Sequence, residues 1–544
     1  MDGKNLDGKA PNEKEEKSLE ILEAYIGLVE KGTLFPTRAD MLGAGVTRDQ
    51  IRHHFINIAR LRAAAKEEFP DTFKGVLDVK ELTSKPYLAN LNKIVRKYKR
   101  FVISTAISGQ KVHSEFLESI ENYCSRNNAK LLLIPCHDPD HNLDNEIEWH
   151  MDDTLVDFDW VFEKLDLNSN VHISEIRVTA KQINPTTGLG RFVQELGSAI
   201  FGSSKQSLEF VPVSKIKYPH ALMSTGAISL PNYKTSKGNS LRTAYIAHHD
   251  HKIGALIVEI QDDKIYHFRQ IQADEKGGFC DIGKYYLKNS IKNVRSKLVI
   301  GDYHSGQHDE SAERAWLELC KEAHVDEVIL HDLHNGLATN HHDAHKMVTQ
   351  AKRAALGLLD AKKELGITGS VLNRWTTAVD KVTVTKSNHD EFLERWLEEA
   401  RFAKDPYNFQ LGCKLADAMV DGKDPLIEGV TLYGNLKHPK RINWLKRDQD
   451  YRIFGHENGA HGDVGPGGSK GTKIGLEKSY FSATIAHSHT AGILREVFQV
   501  GTTSWFDLDY NRGASSWMHC SCLEYDNGNR QLINSIRGEY RLKE

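Results

Sequence analysis

The sequence predicts a mixed α/β protein whose C-terminal half is a two-sheet α/β sandwich. Apolar, β-branched runs at 298–300, 328–330 and 382–385 alternate with segments of helical spacing such as 309–323. This alternation is typical of a parallel sheet covered by helices. The end of the chain is rich in strands and contains Asn527-Gly528, a hairpin turn signal. The N-terminus, in contrast, has helical periodicity, which indicates a small helical domain.

The composition indicates a globular protein that works in the compartment where it is made. The 544 residues are 40% hydrophobic and 27% charged, with a formal net charge of −3. This charge excludes a global basic field, so contact with nucleic acid must come from local patches. Seven cysteines without a Cys-x-x-Cys pair favour reduced thiols over a disulfide framework. The sequence has neither an apolar run of membrane-spanning length nor an N-terminal signal core, so we expect a cytoplasmic protein without a membrane partner.

Residues 1–76 predict a helical domain that resembles a helix-turn-helix. A periodic helix begins near Ser18, a short helix is opened by Pro36, and Thr47 caps a longer helix that runs to about Lys66. The last helix would expose side chains suited to phosphates and base edges, which makes these residues candidates for DNA contact: Arg48, Gln50, Arg52 and Asn57. The alternative is an ordinary helical bundle or an oligomerisation module.

A basic connector at 77–97 leads into a predicted α/β middle domain at 98–290. Strand 100–106, helix 114–124 and strand 130–135 form a βαβ unit, which requires a parallel pair of strands. Segments 254–260 and 264–271 flank Gln261-Asp262-Asp263 and predict a hairpin. We expect this domain to assist substrate binding or assembly, and so large a non-catalytic portion favours a homo-oligomer.

In the remaining segment, 291–544, five predicted strand ends carry oxygen and nitrogen ligands and no cysteine. Alternate residues of an extended segment project the same way, so the first of these pairs, Asp302 and His304, can reach one point. Carboxylate, amide and imidazole groups suit a hard or borderline divalent cation. In chain order, the candidates are Asp302 with His304, Asp332, Asn388 with His389 and Asp390, His461 or His456, and His487 with His489.

As an ordered set, these motifs resemble those of the calcineurin-like metallophosphoesterases. The family pattern is Asp-x-His, Gly-Asp, Gly-Asn-His-Asp/Glu, His and Gly-His-x-His, and the match covers about residues 295–544. The C-terminal half is also similar to the first-step-transfer pre-early deoxyribonucleases of T-five-like phages. The chain departs from the pattern where His331, Ser387 and Ala486 replace glycines. Serine and alanine are small enough to do so, whereas His331 would reshape its edge of the site.

The resemblance implies a role for each candidate. Asp302, His304 and His489 would hold one divalent metal, while Asn388, His461 and His487 would hold a second. Asp332 would bridge the two, since a carboxylate has two oxygens to offer. His389 would stabilise or protonate the leaving oxygen and Asp390 would orient it. His461 is favoured over His456 because a Gly-rich run follows it. By resemblance the metal is Mn²⁺, with Fe or Zn²⁺ as alternatives.

These expectations predict a two-metal-dependent deoxyribonuclease. By resemblance it would degrade host DNA early in phage infection, in the host cytoplasm. One alternative is a phosphatase or phosphodiesterase for nucleotides or other small phosphates. A second is a non-enzymatic DNA-binding or scaffold protein whose phosphoesterase domain is inert.

Overall fold

The computed structural model describes residues 13–31, 36, 38–73, 75–137, 149–214, 217–233, 240–508 and 510–543. The predicted mixed α/β class is confirmed, with helices grouped at the N-terminus and packed beside sheets elsewhere. Within the described part of the chain, no helix has the length and apolar character needed to cross a lipid bilayer.

The N-terminal segment is built from helices. They are α1 (Glu13–Glu30), α2 (Arg38–Gly43), α3 (Arg48–Phe55), α4 (Ile58–Glu68), α5 (Val79–Leu82) and α6 (Lys85–Lys97). The prediction of one long helix from Thr47 to Lys66 is wrong. Ile56 adopts a φ of 66°, and the Asn57 side chain then caps α4 by accepting a hydrogen bond from the Arg60 N–H at 2.8 Å. A side-chain cap competes with continuation of the helix, so the chain breaks there.

The middle segment is strand-rich. Its elements are β1 (Arg100–Ile107), α7 (Ser114–Asn127), β2 (Ala129–Cys136), β3 (Asp159–Trp160), β4 (Leu165–Asp166), β5 (Val171–Arg177), α8 (Gly190–Leu196), β6 (Ser198–Gly202), β7 (Ser207–Val211), β8 (His220–Ser224), α9 (Ser240–His249), β9 (Gly254–Ile260), β10 (Tyr266–Gln272), β11 (Phe279–Asp281), β12 (Lys284–Leu287) and β13 (Ser290–Asn293). The predicted parallel pair β1–β2 and the β9–β10 hairpin are confirmed.

The C-terminal segment alternates strands and helices before a strand-rich end. Its elements are β14 (Ser296–Ile300), α10 (Glu310–Glu322), β15 (Val325–His331), α11 (Met347–Ala355), α12 (Ala361–Ala378), β16 (Lys381–Thr385), α13 (Phe392–Glu398), α14 (Phe409–Val420), α15 (Pro425–Tyr433), β17 (Ile442–Trp444), β18 (Arg452–Ile453), β19 (His456–Glu457), α16 (Lys473–Tyr480), β20 (Ala483–Ile485), β21 (Gly492–Leu494), β22 (Val497–Gln499), β23 (Cys520–Tyr525) and β24 (Arg530–Asn534).

The helical periodicity of the sequence from His345 to about Leu365 predicts one helix, whereas the structure has two. The chain breaks between α11 and α12, and the Asp360 side chain caps the second helix by accepting from the Lys363 N–H at 3.1 Å. The sequence signal that was missed is this acidic N-cap inside an otherwise periodic stretch.

Two sheets lie against each other in the C-terminal half. The six-stranded sheet has the order β17-β16-β15-β14-β23-β24, and β14, β15 and β16 are parallel neighbours. Along β14, Leu298 and Ile300 belong to a buried cluster shared with Trp316 and Trp375 of the helices. Val299, between them, belongs to the cluster that includes Ile493 of the second sheet. This alternation gives a layered order of helices, first sheet and second sheet.

The second sheet has ten strands and draws on two distant parts of the chain. Its order is β18-β19-β20-β22-β21-β7-β8-β6-β5-β4. The junction is antiparallel, with Gly492 opposite Glu209 and Leu494 opposite Ser207. Strand pairing thus crosses the expected boundary near residue 290, and the division into domains stays a prediction.

Candidate metal centre

Three candidate ligands lie at the carboxyl ends of adjacent parallel strands. Asp302 follows β14, Asp332 follows β15 and Asn388 follows β16. Parallel strands place their carboxyl ends at one edge of a sheet, so these side chains are brought together by the sheet order alone. The backbone fixes the first two loops to each other, because the His304 N–H donates to the Asp332 carbonyl at 2.8 Å.

The histidines arrive from the second sheet. His461 lies in the loop after β19, and His487 and His489 follow β20, the parallel neighbour of β19. The Ala486 N–H donates to the His461 carbonyl at 2.8 Å. The His487 N–H donates to Asp302 Oδ1 at 3.1 Å, which joins this loop to the first sheet.

The ligand atoms of five candidates converge in the interior. His489 Nε2 lies 3.0 Å from Asp302 Oδ2 and 3.1 Å from His304 Nε2. Asp332 Oδ2 lies 3.8 Å from His304 Nε2 and 3.5 Å from His461 Nε2. Bonds of roughly 2.0–2.2 Å to one metal ion place neighbouring ligand atoms about 3.0–3.5 Å apart. The spacing of the donor atoms therefore fits ligands that share a cation.

These atoms form two groups with a common member. His304, Asp332 and His489 form one group, and Asp302, Asp332 and His461 form the other; within each, one ligand atom per residue lies within 4.8 Å of the others. All five residues are buried. Because Asp332 belongs to both groups, its carboxylate lies where two adjacent cations would both need an oxygen.

Buried polar atoms without partners point to the same conclusion. Such atoms are uncommon in folded proteins and ask for an explanation. Six of them, among the described residues, belong to candidate ligands: Asp302 Oδ2, His304 Nδ1, Asp332 Oδ1, Asn388 Oδ1, His461 Nε2 and His489 Nδ1. Oxygen and imidazole atoms left without hydrogen bonds are the donors that a divalent cation would use, so these residues fit a metal.

The electrostatics of the centre favour positive charge. Burial alone would raise the pKa of Asp302, but the neighbouring His489 holds it at about 2. The pKa of Asp332 is held well below its usual range against the same effect of burial, chiefly by His461. Burial would lower the pKa of His461, yet the two carboxylates raise it to about 9. His304, by contrast, is dominated by burial, which lowers its pKa to about 3.

Four candidate ligands adopt left-handed backbone conformations. The φ angles are 51° at His304, 45° at Asp332, 70° at His487 and 60° at His489. Residues other than glycine seldom adopt such angles, and they persist where surrounding structure enforces them, often at functional sites. The missing glycines of the sequence pattern do not prevent tight turns here, because the ligand residues themselves take up positive φ.

His487 and Asn388 are the two remaining candidate ligands. The His487 ring centroid is 5.2 Å from that of His461, and Asn388 supplies one of the unpartnered oxygens. His456, the alternative to His461, lies elsewhere: its Nδ1 is 2.7 Å from Ser482 Oγ and its Nε2 is 2.9 Å from the Gly528 carbonyl oxygen. Both ring nitrogens of His456 are thus engaged, which favours His461.

His389 lies at the edge of the centre, with its ring centroid 4.6 Å from that of His304. Its Nδ1 donates to the Asn335 carbonyl oxygen at 2.9 Å. Asp390 accepts instead from the His334 N–H at 3.0 Å and from the Ser387 N–H at 3.1 Å. The contact that orients His389 therefore comes from the Asn335 carbonyl, while Asp390 holds the loop. Burial raises the pKa of Asp390 to about 6, with nearby Asp332 adding to the effect.

Comparison with known proteins gives one relative. The chain is similar to Protein A1 of Escherichia phage T5. The two are 29% identical over 480 residues, which is 82% of this chain and 83% of that protein. No protein-family model and no solved structure matches the chain. The relative supports a phage-related role, and membership of the metallophosphoesterase superfamily stays a prediction.

The structure adds residues that the motif pattern does not mark. The His331 ring stacks on His461, with centroids 5.6 Å apart, so this glycine replacement packs behind a candidate ligand. The Trp517 ring lies 4.1 Å from that of His489, and Tyr510, 54% exposed, lies 5.8 Å from Trp517. Trp517 comes from a loop between β22 and β23 that has no sequence signal of its own.

The four candidates for DNA contact lie in or beside α3. Arg48 and Arg52 are exposed. Gln50 accepts from the Thr47 N–H at 2.7 Å in a capping box, and Asn57 caps α4. The two arginines are therefore exposed and could contact DNA, while the side chains of Gln50 and Asn57 cap helices. Contact with DNA stays a prediction.

Proposed function

We propose that this protein is a two-metal-dependent deoxyribonuclease that hydrolyses phosphodiester bonds and serves to degrade host DNA early in phage infection. The proposal depends above all on one observation. Two buried carboxylates and three buried imidazoles, from loops between residues 302 and 489, converge with Asp332 common to both groups.

Each residue has an assignable part in this reaction. His304, Asp332 and His489 would hold one cation, and Asp302, Asp332 and His461 the other, with Asn388 and His487 as further candidate ligands. This grouping departs from the one that the resemblance implies, because it pairs Asp302 with His461 and not with His304 and His489. A bound pair of divalent ions supplies a hydroxide near neutral pH and neutralises charge on the phosphate. Oxygen and imidazole donors fit Mn²⁺, Fe or Zn²⁺, and Mn²⁺ is our choice because of the resemblance to the nucleases among the metallophosphoesterases.

His389 is suited to the leaving group. Its Nδ1 is occupied by the Asn335 carbonyl, so Nε2 is the nitrogen available to a substrate. A charged imidazole there would give its proton to the departing alkoxide oxygen. A fixed ring costs less reorganisation than a free one, and the Asn335 contact supplies this fixation.

The preference for DNA is supported by two observations outside the centre. Arg48 and Arg52 are exposed on the N-terminal helices, and the similar protein is encoded by a phage. Since the net charge is −3, local patches must attract the polyanion.

One incubation tests the proposal. Linear and circular DNA are mixed with the purified protein in Mn²⁺ or in chelator, beside bis-p-nitrophenyl phosphate and mononucleotides. We expect both DNA forms to be cut in Mn²⁺ and spared in chelator. His461→Ala should abolish cutting, whereas His438→Ala, which removes an exposed histidine, should not.

Other outcomes point to the rival functions. Release of phosphate from mononucleotides without DNA cleavage would favour a phosphatase. DNA binding without turnover, and without metal in the purified protein, would favour a scaffold with an inert domain. Mn²⁺-dependent cleavage that survives both Asp302→Ala and Asn388→Ala would remove this centre from the reaction.

A further inference from the structure

A second cavity adjoins the candidate metal centre and is not used by the chemistry above. It has a volume of about 710 Å³ and reaches His487 and Gly462, the neighbour of His461. Its other walls come from the Gly-rich segment that includes Lys470, from the start of α16, and from β7 of the middle segment. Volumes of roughly 300–1,000 Å³ are usual for sites that bind small molecules.

Lys473, the first residue of α16, presents a cation to this cavity. Its Nζ donates to Gln499 Oε1 at 3.3 Å, and among the described residues it forms no ion pair. Burial lowers the pKa of this amine, with Glu209 acting in the opposite direction. A partly buried ammonium group that lacks an anionic partner is costly, so an anion from outside the chain would relieve the cost.

The amine is held in place from behind. The Gln499 amide donates to the Ala486 carbonyl at 3.0 Å and also to Ser488 Oγ, so its oxygen is left for Lys473. This connection ties the lysine to the loop that carries His487. Room for the amine comes from Gly492, where a Cβ would lie 3.2 Å from Nζ.

We infer that Lys473 binds a phosphodiester of the substrate strand next to the one that is cleaved. This inference rests on the proposed function, because it places a second phosphate of the same strand beside the metal centre. A lysine ammonium is a compact donor well suited to phosphate oxygens. The site would contact a second phosphate of a polynucleotide, which a substrate with a single phosphate at the metal centre does not have. Because β7 lines the cavity, it would take part in substrate binding.

A change at Glu209 distinguishes a phosphate-binding role of Lys473 from a role in balancing the charge of Glu209. It is exposed and lies on β7 opposite Gly492. If Lys473 serves only to balance this carboxylate, loss of either partner should have similar effects. If Lys473 binds phosphate, Glu209→Gln removes a repulsive charge and should tighten the binding that Lys473→Ala weakens.

The experiment measures binding of a short labelled oligodeoxynucleotide by fluorescence anisotropy in chelator. We expect Lys473→Ala to raise the Kd about tenfold, as loss of one charge-assisted hydrogen bond does. It should also lower the slope of log Kd against log salt by about one. Lys473→Arg should restore part of the affinity. Lys478→Ala removes an exposed lysine of the same helix and should change the Kd less than about twofold.

Two results would overturn the subsite. One is a Kd and salt slope for Lys473→Ala equal to those of the unaltered protein. The other is a Glu209→Gln variant that binds as weakly as Lys473→Ala. Mn²⁺-dependent cleavage of plasmid DNA by the unaltered protein is measured in parallel: its absence would sink the proposed function, while the anisotropy result would still decide for or against the phosphate contact.

Discussion

Replacement of Asp332 by Asn should weaken metal binding at both positions of the centre. One carboxylate oxygen of Asp332 lies 3.8 Å from His304 Nε2 and 3.5 Å from His461 Nε2, so a single change removes a charged donor from both groups. Loss of a residue that merely orients a metal ligand lowers affinity 10–100-fold. We therefore expect a loss of at least about 100-fold, or about 2.7 kcal/mol, for each cation.

The assay is titration with Mn²⁺, combined with the metal content of the protein after dialysis. Unaltered protein should take up two ions, and Asp332→Asn neither at micromolar metal. His489→Ala should lose mainly one, because this histidine belongs to a single group. Asp417→Asn, an exposed change on α14, should match the unaltered protein.

Retention of two tightly bound ions by Asp332→Asn would refute the reasoning. It would mean that the Asp332 carboxylate is not a ligand shared by the two ions. A far-ultraviolet circular dichroism spectrum of each variant separates loss of metal from loss of fold.

Three other changes test separate parts of the structure. Trp517→Ala removes the ring packed on His489 and should lower Mn²⁺ affinity about tenfold, whereas Trp517→Phe should keep most of it; equal affinity for all three proteins would exclude a supporting role. Combined Arg48→Glu and Arg52→Glu should weaken DNA binding and lower its salt slope by about two, while Arg314→Glu on α10 should not; an unchanged slope would exclude α3 from the DNA contact. Burial raises the pKa of Glu524 from 4.5 to about 7, so the folded state keeps its proton longer than the unfolded state. The contribution of Glu524 to the free energy of unfolding should be fully present below pH 4.5 and should fall by about 3 kcal/mol as the pH rises to about 7. Glu524→Gln should therefore flatten the decline of the unfolding midpoint between pH 5 and 8, and a decline as steep as before would contradict this pKa.

The sequence predicts the positions of the candidate ligands better than it predicts the strand pairing around them. Asp302, Asp332 and Asn388 each follow a β-branched run, and adjacent parallel strands bring their ends together. Local pattern and global topology carry the same information here, because the ligand position is set by where a strand stops.

Pairing between distant segments could not be predicted in this way. β7 and β21 are about 285 residues apart, and the Ser207 hydroxyl donates to the Ile493 carbonyl at 3.0 Å across that separation. Hydrophobic periodicity reports which face of a strand is buried and says nothing about its neighbour. The same limit applies to Trp517, whose contact with His489 depends on the path of an irregular loop.

The predicted helix boundaries were wrong for a different reason. The runs from Thr47 and from His345 are both periodic enough to predict a single helix. Asn57 and Asp360 break them with side-chain caps, and such residues also occur inside helices, so their presence alone does not mark an end.

The strand pairing between β7 and β21 has a practical consequence for cutting the chain into pieces. A fragment that begins at residue 291 would keep every candidate ligand and the pairing of β21 with β22, but it would lack β7, the other neighbour of β21. An exposed edge strand can pair with other copies of the chain, so we expect this fragment to aggregate during expression. Co-expression of residues 98–290 as a second polypeptide should then restore the solubility of the fragment, as in complementation between the two parts of a split protein.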